Sequence, residues 1–494
     1  MEEKEEKFKQ ILDKIKAYNP EANFSLIEKA YQFAKKGHEG QKRLSGEEFI
    51  THPLAVGEIL ADWHLDTGSI VAGLLHDVIE DGGVKRETLE KEFGKEITDL
   101  VDGVTKIGEF KLRGSSQDVF VENLRKMIVV MAHDLRVVLI KLADRYHNLQ
   151  SLYVLPVEKQ RRIAQETLEI YAPLAERLGI GEMKGRLEDL AFPYAYPEEY
   201  KWVENYAFPY YQKADEYIQK IKKEVLSNLM KKNIKAKIHG RAKHLYSLYK
   251  KLCRPEIDRD INKVYDLMAL RIIVNTVEEC YVALGMIHTL YKPVPSVGVR
   301  DFIAQPKPNG YQSIHTNVFA QGRIIEVQIR TKKMHEQAEN GIAAHWHYAQ
   351  EKVKKITDAQ IQTGFFAPTE KMSWVRELVQ WQQELVGSKE FLESLKFDAL
   401  QHRIFVFSPK GDVFDLPAEA TPVDFAYAVH GGLGNQCRGA KVDGKMVPLD
   451  YKLKSGQMVE ILVDKNKKKP SADWLNFVVT RLARKEIAKS IRRS

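Results

Sequence analysis

The sequence predicts a multidomain chain of the α and α/β classes. An all-α domain over 1–190 leads through a helical connector, 191–232, to an α/β domain over 233–348. A linker and helix, 349–400, then precede a small module over 401–464 and the start of a helical region over 465–494. Three observations predict this order. Up to about Arg186, apolar residues recur at three- and four-residue spacing, as at Ile11, Ile15 and Tyr18 and again at Leu26, Ala30 and Phe33, the pattern of amphipathic helices. After Lys232, short β-rich runs alternate with helical stretches, as in α/β domains. The 494 residues also exceed the roughly 250–300 that one core holds.

Composition narrows the class without deciding function. Hydrophobic residues make up 44% and charged residues 29%, an ordinary globular balance that argues against extensive disorder. No apolar run approaches the roughly 20 residues of a membrane-spanning helix. The opening MEEKEEKFKQ has no apolar stretch behind it and is not a signal peptide, so a cytoplasmic protein is expected. Cys253, Cys280 and Cys437 are far apart with no C-x-x-C pair, which suggests neither a disulfide framework nor a cysteine zinc site. A net charge of +8 suits polyanionic substrates or RNA as readily as a plain solvated surface.

In the all-α part, Gly82-Gly83 and Pro156 mark joints between helices. A helix is expected over Val71 to Asp81, where His76, Asp77, Glu80 and Asp81 merge into one polar face opposite Val71, Leu74, Leu75 and Val78, because residues four apart stack. The run Val137 to Asn148 repeats the design, with Asp144, His147 and Asn148 on one face. Imidazoles and carboxylates turned toward an apolar interior are costly without a cation or partner. His52, His76, Asp77 and Asp144 are therefore candidate ligands of one metal, and two imidazoles with two carboxylates suit Mn²⁺, Fe²⁺ or Zn²⁺ better than Ca²⁺. Such an ion makes a nucleophile of water near neutral pH, and Glu80 and Asp81, one turn on, are placed to orient that water or move its proton. A lone His-Asp pair is more often structural; the additional His52 and Asp144 make the difference.

The connector contains a Tyr-, Trp- and Pro-rich stretch, Phe192 to Tyr211, and then a charged helix from about Gln212 to Lys232. In GRAKHLYSLYKKL (240–252), Lys243, Ser247, Lys250 and Lys251 cluster at helical spacing with Arg241 at the entry, a cationic face fit for a triphosphate or simply a solvated one. Asp266 opens an apolar strand to Val274; Glu326 lies on another strand whose opposite face is Ile325, Val327 and Ile329. Two such carboxylates can share a Mg²⁺ that bridges phosphates, and one can accept a hydroxyl proton. In PKPNGYQSIHT (306–316), Asn309-Gly310 signals a turn, with Tyr311 placed to stack on a base and Lys307 and His315 placed toward phosphates. From Gln401 to Val463, strand-like Arg403–Phe407, Val413–Asp415 and Met458–Leu462 with one helix, about Val423–Val429, read as a β-grasp module. The last stretch, Ser471 to Ser494, reads as a basic helix.

HEGQKRLSGEEFITHPLAV, LLHDVIEDGG and LIKLADRYHNL together resemble the HD phosphohydrolase superfamily, and more narrowly the hydrolase half of the RelA/SpoT alarmone enzymes. The resemblance implies His52, His76, Asp77 and Asp144 as Mn²⁺ ligands, Glu80 and Asp81 handling water, Arg43 and Ser45 near guanine, and Asn148 near the sugar. Leu44 stands where a lysine often follows the arginine. YDLMALRIIV, PKPNGYQSIHT, IIEVQIRT and HEQAENGIAAHWHY follow in the order of the RelA/SpoT synthetase domain, a nucleotidyltransferase-like α/β fold with a mixed sheet.

By that resemblance Asp266 is the principal Mg²⁺ ligand, and Glu326 is a metal-side carboxylate that activates the guanosine 3′-hydroxyl. Arg241, Lys243, Ser247 and Lys251 attend the ATP phosphates, Tyr311 stacks on guanine, and Lys307, Asn309 and His315 line the GDP/GTP site. Bifunctional members usually carry Arg-x-Lys-Asp where this chain reads Gly298-Val299-Arg300-Asp301, which keeps one cation, Arg300. Residues 405–462 resemble a TGS domain, with His430 at a position the family uses near the tRNA acceptor end, followed by an unusual Gly431–Asn435 loop. The implied activity is synthesis and hydrolysis of (p)ppGpp, with ribosome or uncharged tRNA as partners of the TGS module. A hydrolase with a degraded synthetase, or a ribosome- or tRNA-binding regulator with vestigial sites, are the alternatives.

Overall fold

The computed structural model describes residues 2–109, 127, 130, 133–295, 298–307, 310–341, 403–464 and 469–492. The expected linker and helix over 349–400, and most of the lysine run 465–469, lie outside the described residues. The chain forms two compact units: Met1–Tyr211, Lys243–Val264 and Glu336–Ser388 make the first, and Gln212–Ala242, Tyr265–His335 and Lys389–Ser494 the second. No described helix is long and apolar enough to cross a membrane.

The first unit is helical. Its described helices begin with α1 (Glu2–Tyr18), α2 (Phe24–Gly37), α3 (Thr51–Asp62), α4 (Thr67–Leu75) and α5 (Arg86–Glu109), which kinks at Gly94; α6 (Arg136–Gln150) follows. Helix α4 is buried along its whole length from Ser69, so it occupies the centre with α2, α3, α5 and α6 packed on it. Two glycines let α3 and α4 approach closely. A Cβ on Gly73 would lie 2.3 Å from Leu60 Cδ1, and one on Gly57 would lie 3.0 Å from Leu74 Cδ2. Asp66 caps α4 by accepting from the Ser69 amide at 2.6 Å and is itself paired with buried Arg136, which also holds Asp134 and Glu96. That network fixes the start of α6 against α4.

The second unit carries a mixed sheet in the order β1-β2-β6-β5-β3, with β4 also paired to β5. The strands are β1 (Lys237–Ala242), β2 (Met268–Val274), β3 (Lys292–Pro293), β4 (Val299–Asp301), β5 (Ile314–Ala320) and β6 (Arg323–Thr331). β2 and β6 are parallel, while β1–β2 and β5–β6 are antiparallel. Gln321 and Gly322 join β5 to β6 with φ of 43° and 81°, the backbone that a two-residue hairpin turn requires. Ile325, Val327 and Ile329 are buried in the core with Leu270, Ile272 and the helix Val277–Leu290, the face that alternation assigns to them. Thr276 and Glu279 form a capping box that starts this helix.

The C-terminal module has a two-stranded sheet, β7 (Arg403–Phe407) with β8 (Val413–Pro417), and a three-stranded sheet in the order β10-β9-β11. These are β9 (Cys437–Val442), β10 (Lys445–Val447) and β11 (Val459–Val463). A parallel bridge between Phe407 and Met458 links the two sheets, and the helix Pro422–Val429 packs on both β8 and β11. The single basic helix expected over 471–494 is instead a 3₁₀ turn, Ala472–Asn476, and a helix, Arg481–Arg492. The break is anchored by buried Asp424, which accepts from the amides of Val479 and Thr480.

Candidate active sites

The first constellation is assembled by three helices of the first unit. His52 lies in the first turn of α3, His76 caps the C-terminal end of α4, and Asp144 lies inside α6. All three are buried, and one ligand atom from each lies within 4.8 Å of the others. Nε2 of His52 is 3.1 Å from Nε2 of His76, 3.2 Å from Asp144 Oδ1 and 3.3 Å from Asp77 Oδ2. Nε2 of His76 is 3.1 Å from Asp77 Oδ1.

The helix expected over Val71 to Asp81 ends at Leu75. Residues 76–81 continue as turns held by the Val78 amide to Leu75 O and the Asp81 amide to Asp77 O. Gly82 lets this turn close tightly: a Cβ there would sit 2.6 Å from the Val78 carbonyl oxygen. Asp77 still reaches the two imidazoles, whereas Glu80 and Asp81 are exposed at the rim.

Hydrogen bonding fixes which nitrogen of His76 points inward. Its Nδ1 lies 2.8 Å from the Gly73 carbonyl, and a carbonyl only accepts, so Nδ1 carries the proton. The Nε2 atoms of His52 and His76 therefore converge, with two carboxylates, on one point, an arrangement that suits a divalent cation. The carboxylates also act on the imidazoles. Burial lowers His76, while for His52 the burial penalty is overcome by Asp144 and Asp77, whose oxygens face its Nε2 and favour its charged form. Burial would raise Asp144, but Lys141, 2.7 Å from its Oδ2, and the two histidines hold it well below the carboxylate range. Asp77 is likewise held down at about 2, against the burial that would raise it, by His76 and His52. Glu80 and Asp81 are raised, first by burial and then by carboxylates around them, with Lys141 opposing at Glu80.

Above this cluster, the loop 40–49 is tied by Arg43 N to Glu47 O at 2.8 Å and Gly46 N to Arg43 O at 2.9 Å. It aims Arg43 back at α6, where the guanidinium reaches His147 Nδ1 at 2.8 Å, Asn148 Oδ1 at 2.9 Å and Ser151 Oγ at 3.2 Å. Asn148 in turn donates to Asp144. The hydroxyl of Ser45 is buried with no hydrogen-bond partner among the described residues, and Leu44 is 77% exposed. Sequence reasoning assigned no role to Lys141 or His147. Their signal was spacing: both are three residues from Asp144 and share its side of α6.

In the second unit, Glu326 on β6 is buried and accepts from three neighbours. They are Arg300 Nη2 on β4 at 2.8 Å, His315 Nδ1 on β5 at 3.1 Å, and Gln328 Nε2 at 2.9 Å. The register brings them to one face, since Arg300 pairs with His315 and His315 with Gln328. Burial would raise the Glu326 carboxyl, but His315, Arg300 and Gln328 hold it far below the ordinary range. Because a carboxylate only accepts, His315 carries its proton on Nδ1 and its Nε2 accepts from the Tyr311 hydroxyl at 2.8 Å.

Lys307 sits over the rings of Phe302, Tyr311 and, from β7, Phe405, at 4.7, 5.0 and 5.1 Å. Asp266, expected to open a strand, lies in the turn two residues ahead of β2. Gly298 has φ +66°, a conformation that disfavours any side chain there. Asn309 lies outside the described residues.

The predicted phosphate cations divide between the units: Arg241 is on β1 of the second, and Lys243, Ser247 and Lys251 belong to the first. Within the first unit, Ser247 Oγ and Lys250 Nζ both bond to buried Glu188, at 3.0 and 2.8 Å, and His244 Nδ1 to Asp189 at 2.6 Å. In the C-terminal module, His430 is exposed and caps the short helix Gly431–Asn435 by accepting from the Gly432 amide at 3.0 Å.

Comparisons with known proteins agree with this geometry. Three family models match in order: "HD domain" over residues 30–181, "Region found in RelA / SpoT proteins" over 240–353, and "TGS domain" over 404–463. The chain is 48% identical over 476 residues to a GTP pyrophosphokinase of Myxococcus xanthus, covering 96% of this chain and 61% of that one. It is 45% identical to the guanosine-3′,5′-bis(diphosphate) 3′-pyrophosphohydrolase of Aquifex aeolicus, covering 98% of this chain and 66% of the relative. To the bifunctional (p)ppGpp synthase/hydrolase SpoT of Escherichia coli K12 it is again 45% identical, covering 97% and 66%.

Fold and site thus define a helical domain with a buried His/Asp cluster that could hold a metal ion, followed on the chain by a mixed-sheet domain with a buried carboxylate paired with an arginine and a histidine. With these three domains in this order and that identity along nearly its whole length, the chain belongs to the RelA/SpoT family. It spans less than two thirds of the length of these relatives.

Proposed function

We propose that this chain both makes and hydrolyses (p)ppGpp, with hydrolysis at the His52–His76–Asp77–Asp144 cluster and synthesis around Glu326 and Asp266. The observation that carries the reading is the convergence of two imidazole Nε2 atoms 3.1 Å apart between two carboxylates held ionised. A Mn²⁺ ion bound there would supply Lewis-acid charge and acidify water. The residues around it do the rest. Glu80 and Asp81, whose affinities for a proton are raised, hold and move the water's proton. Arg43, Ser45 and Asn148 orient the nucleotide so that its 3′-pyrophosphate faces the cluster. Water replaces the 3′-oxygen on phosphorus; pyrophosphate leaves and GDP or GTP remains.

For synthesis, Mg²⁺ between Asp266 and Glu326 would neutralise phosphate charge. By the family resemblance Arg241 attends the ATP phosphates, and Tyr311, Lys307, Asn309 and His315 hold the guanosine acceptor. Glu326 takes the proton of the 3′-hydroxyl as that oxygen bonds the ATP β-phosphorus and AMP departs. Arg300, paired with Glu326, is the cation that remains of the Arg-x-Lys-Asp pattern. We further assign tRNA or ribosome contact to the TGS module through exposed His430.

A thin-layer assay of both reactions tests this reading. The parent chain should convert ATP and GDP to ppGpp in Mg²⁺, and ppGpp to GDP in Mn²⁺. Asp144→Asn should lower hydrolysis by at least about 100-fold and spare synthesis, since it removes a ligand and its partners. Glu326→Gln should lower synthesis by on the order of 10²–10⁴, the worth of a general base, and spare hydrolysis. Hydrolysis without any synthesis at any protein concentration would support the hydrolase-only alternative. No turnover of either kind would sink the enzymatic reading.

A further inference from the structure

One nitrogen in the hydrolase cluster has a determined protonation state and no assigned purpose. Arg43 can only donate hydrogen bonds. Its Nη1 lies 2.8 Å from Nδ1 of His147, so that nitrogen offers a lone pair. The same Nδ1 lies 2.8 Å from Nδ1 of His52, with the two rings 4.9 Å apart and tilted by 41°. A lone pair facing a second nitrogen needs a proton from it, so His52 carries hydrogen on Nδ1. Its other nitrogen, Nε2, is the one turned to His76, Asp77 and Asp144. His76 reaches the same state through the Gly73 carbonyl, so each imidazole of the cluster has its own outer acceptor, one from backbone and one from a side chain.

We infer that His147 is a positioning residue of the hydrolase centre: its Nδ1 fixes the tautomer and ring orientation of His52 and joins that ligand to the substrate-side Arg43. Partners of this kind set ligand basicity and orientation in metal sites, and their loss typically weakens metal binding by about 10- to 100-fold. Because Arg43 and His52 share one acceptor atom, a nucleotide that draws Arg43 away leaves His147 wholly to His52. The cluster should then hold its ion more firmly when nucleotide is bound. The inference rests on the metal reading proposed above.

Titration calorimetry of Mn²⁺ into the full chain tests it without any turnover. His147→Asn puts an amide oxygen about where Nδ1 stands and should bind Mn²⁺ within about 3-fold of the parent. His147→Gln reaches the Nε2 position instead and should bind about 10- to 100-fold more weakly. Equal weakening in both variants, or parent affinity in the Gln variant, overturns the role of His147. Failure of the parent to bind Mn²⁺ overturns the metal reading instead. Should the Gln variant not fold, the ¹⁵N shifts of histidine-labelled parent chain decide the matter. Nδ1 of His147 should read as unprotonated and Nδ1 of His52 as protonated, and a protonated His147 Nδ1 refutes the inference.

Discussion

His52 and His76 show how a few side chains commit a helical core to chemistry. Each ring is buried, and each turns its Nε2 to the same point, an arrangement that could hold a cation there. Glu80 stands at the rim with Lys141 beside it and a proton affinity raised by burial and by its carboxylate neighbours. Replacing Glu80 with Gln should therefore reduce the maximal rate of ppGpp hydrolysis by about 10²-fold or more while leaving Mn²⁺ affinity within a few-fold, read by steady-state kinetics beside calorimetry. Cysteine reactivity gives a second residue-scale test. Cys280 is fully buried and burial pushes its thiol up to about 12, whereas Cys253 is exposed. Only the thiolate reacts, so between pH 7 and 9 native protein should take up iodoacetamide at Cys253, while Cys280 labels only after denaturation. Mass spectrometry that finds Cys280 alkylated in the native chain would contradict the burial assigned to it.

At the scale of elements, periodicity made the N-terminal helices, β6 and the helix Val277–Leu290 legible, because in each the apolar face is the buried one. It was less informative where local backbone chemistry intervenes. The expected helix through Asp81 stops at Leu75 and goes on as turns that Gly82 closes against Val78, and polar periodicity cannot see that. Asp266 precedes its strand because pairing with β1 begins only at Met268. β9 and β10 escaped notice because Cys437–Val442 and Lys445–Val447 are short and carry basic residues among their apolar ones, with their partners supplied only by the fold. His147 was visible as a residue on the Asp144 face but not as a hydrogen-bond partner of His52, since 95 residues separate the two. Asp424 illustrates what an element boundary can cost. It is fully buried and accepts from Thr421, Val479 and Thr480. Asp424→Ala should destabilise the TGS module by on the order of 3 kcal/mol, because buried amides lose their acceptor; unchanged denaturant unfolding of the module would refute this.

Taken whole, the chain sets the two proposed sites on differently built scaffolds. The His/Asp cluster needs three helices, α3 and α4 packed closely at Gly57 and Gly73 and α6 held to the start of α4 by Arg136 and Asp66, and its described ligand set lies wholly within the first unit. The carboxylate proposed for synthesis needs only neighbouring strands, β4, β5 and β6, to gather Arg300, His315 and Gln328 around Glu326. Resemblance along nearly the whole sequence suggested the proposed pairing of activities, while the hydrogen bonds that set the tautomers of the helical cluster follow only from the fold. The claim on which the rest depends is that a divalent ion occupies the point between the two inward-facing imidazoles. Anomalous diffraction from crystals grown with Mn²⁺ tests it most directly. The predicted result is a single strong peak within coordination distance of Nε2 of both His52 and His76 and of the Asp77 and Asp144 carboxylates; the contradicting result is a well-ordered cluster with the two imidazoles still in mutual contact and the manganese signal elsewhere.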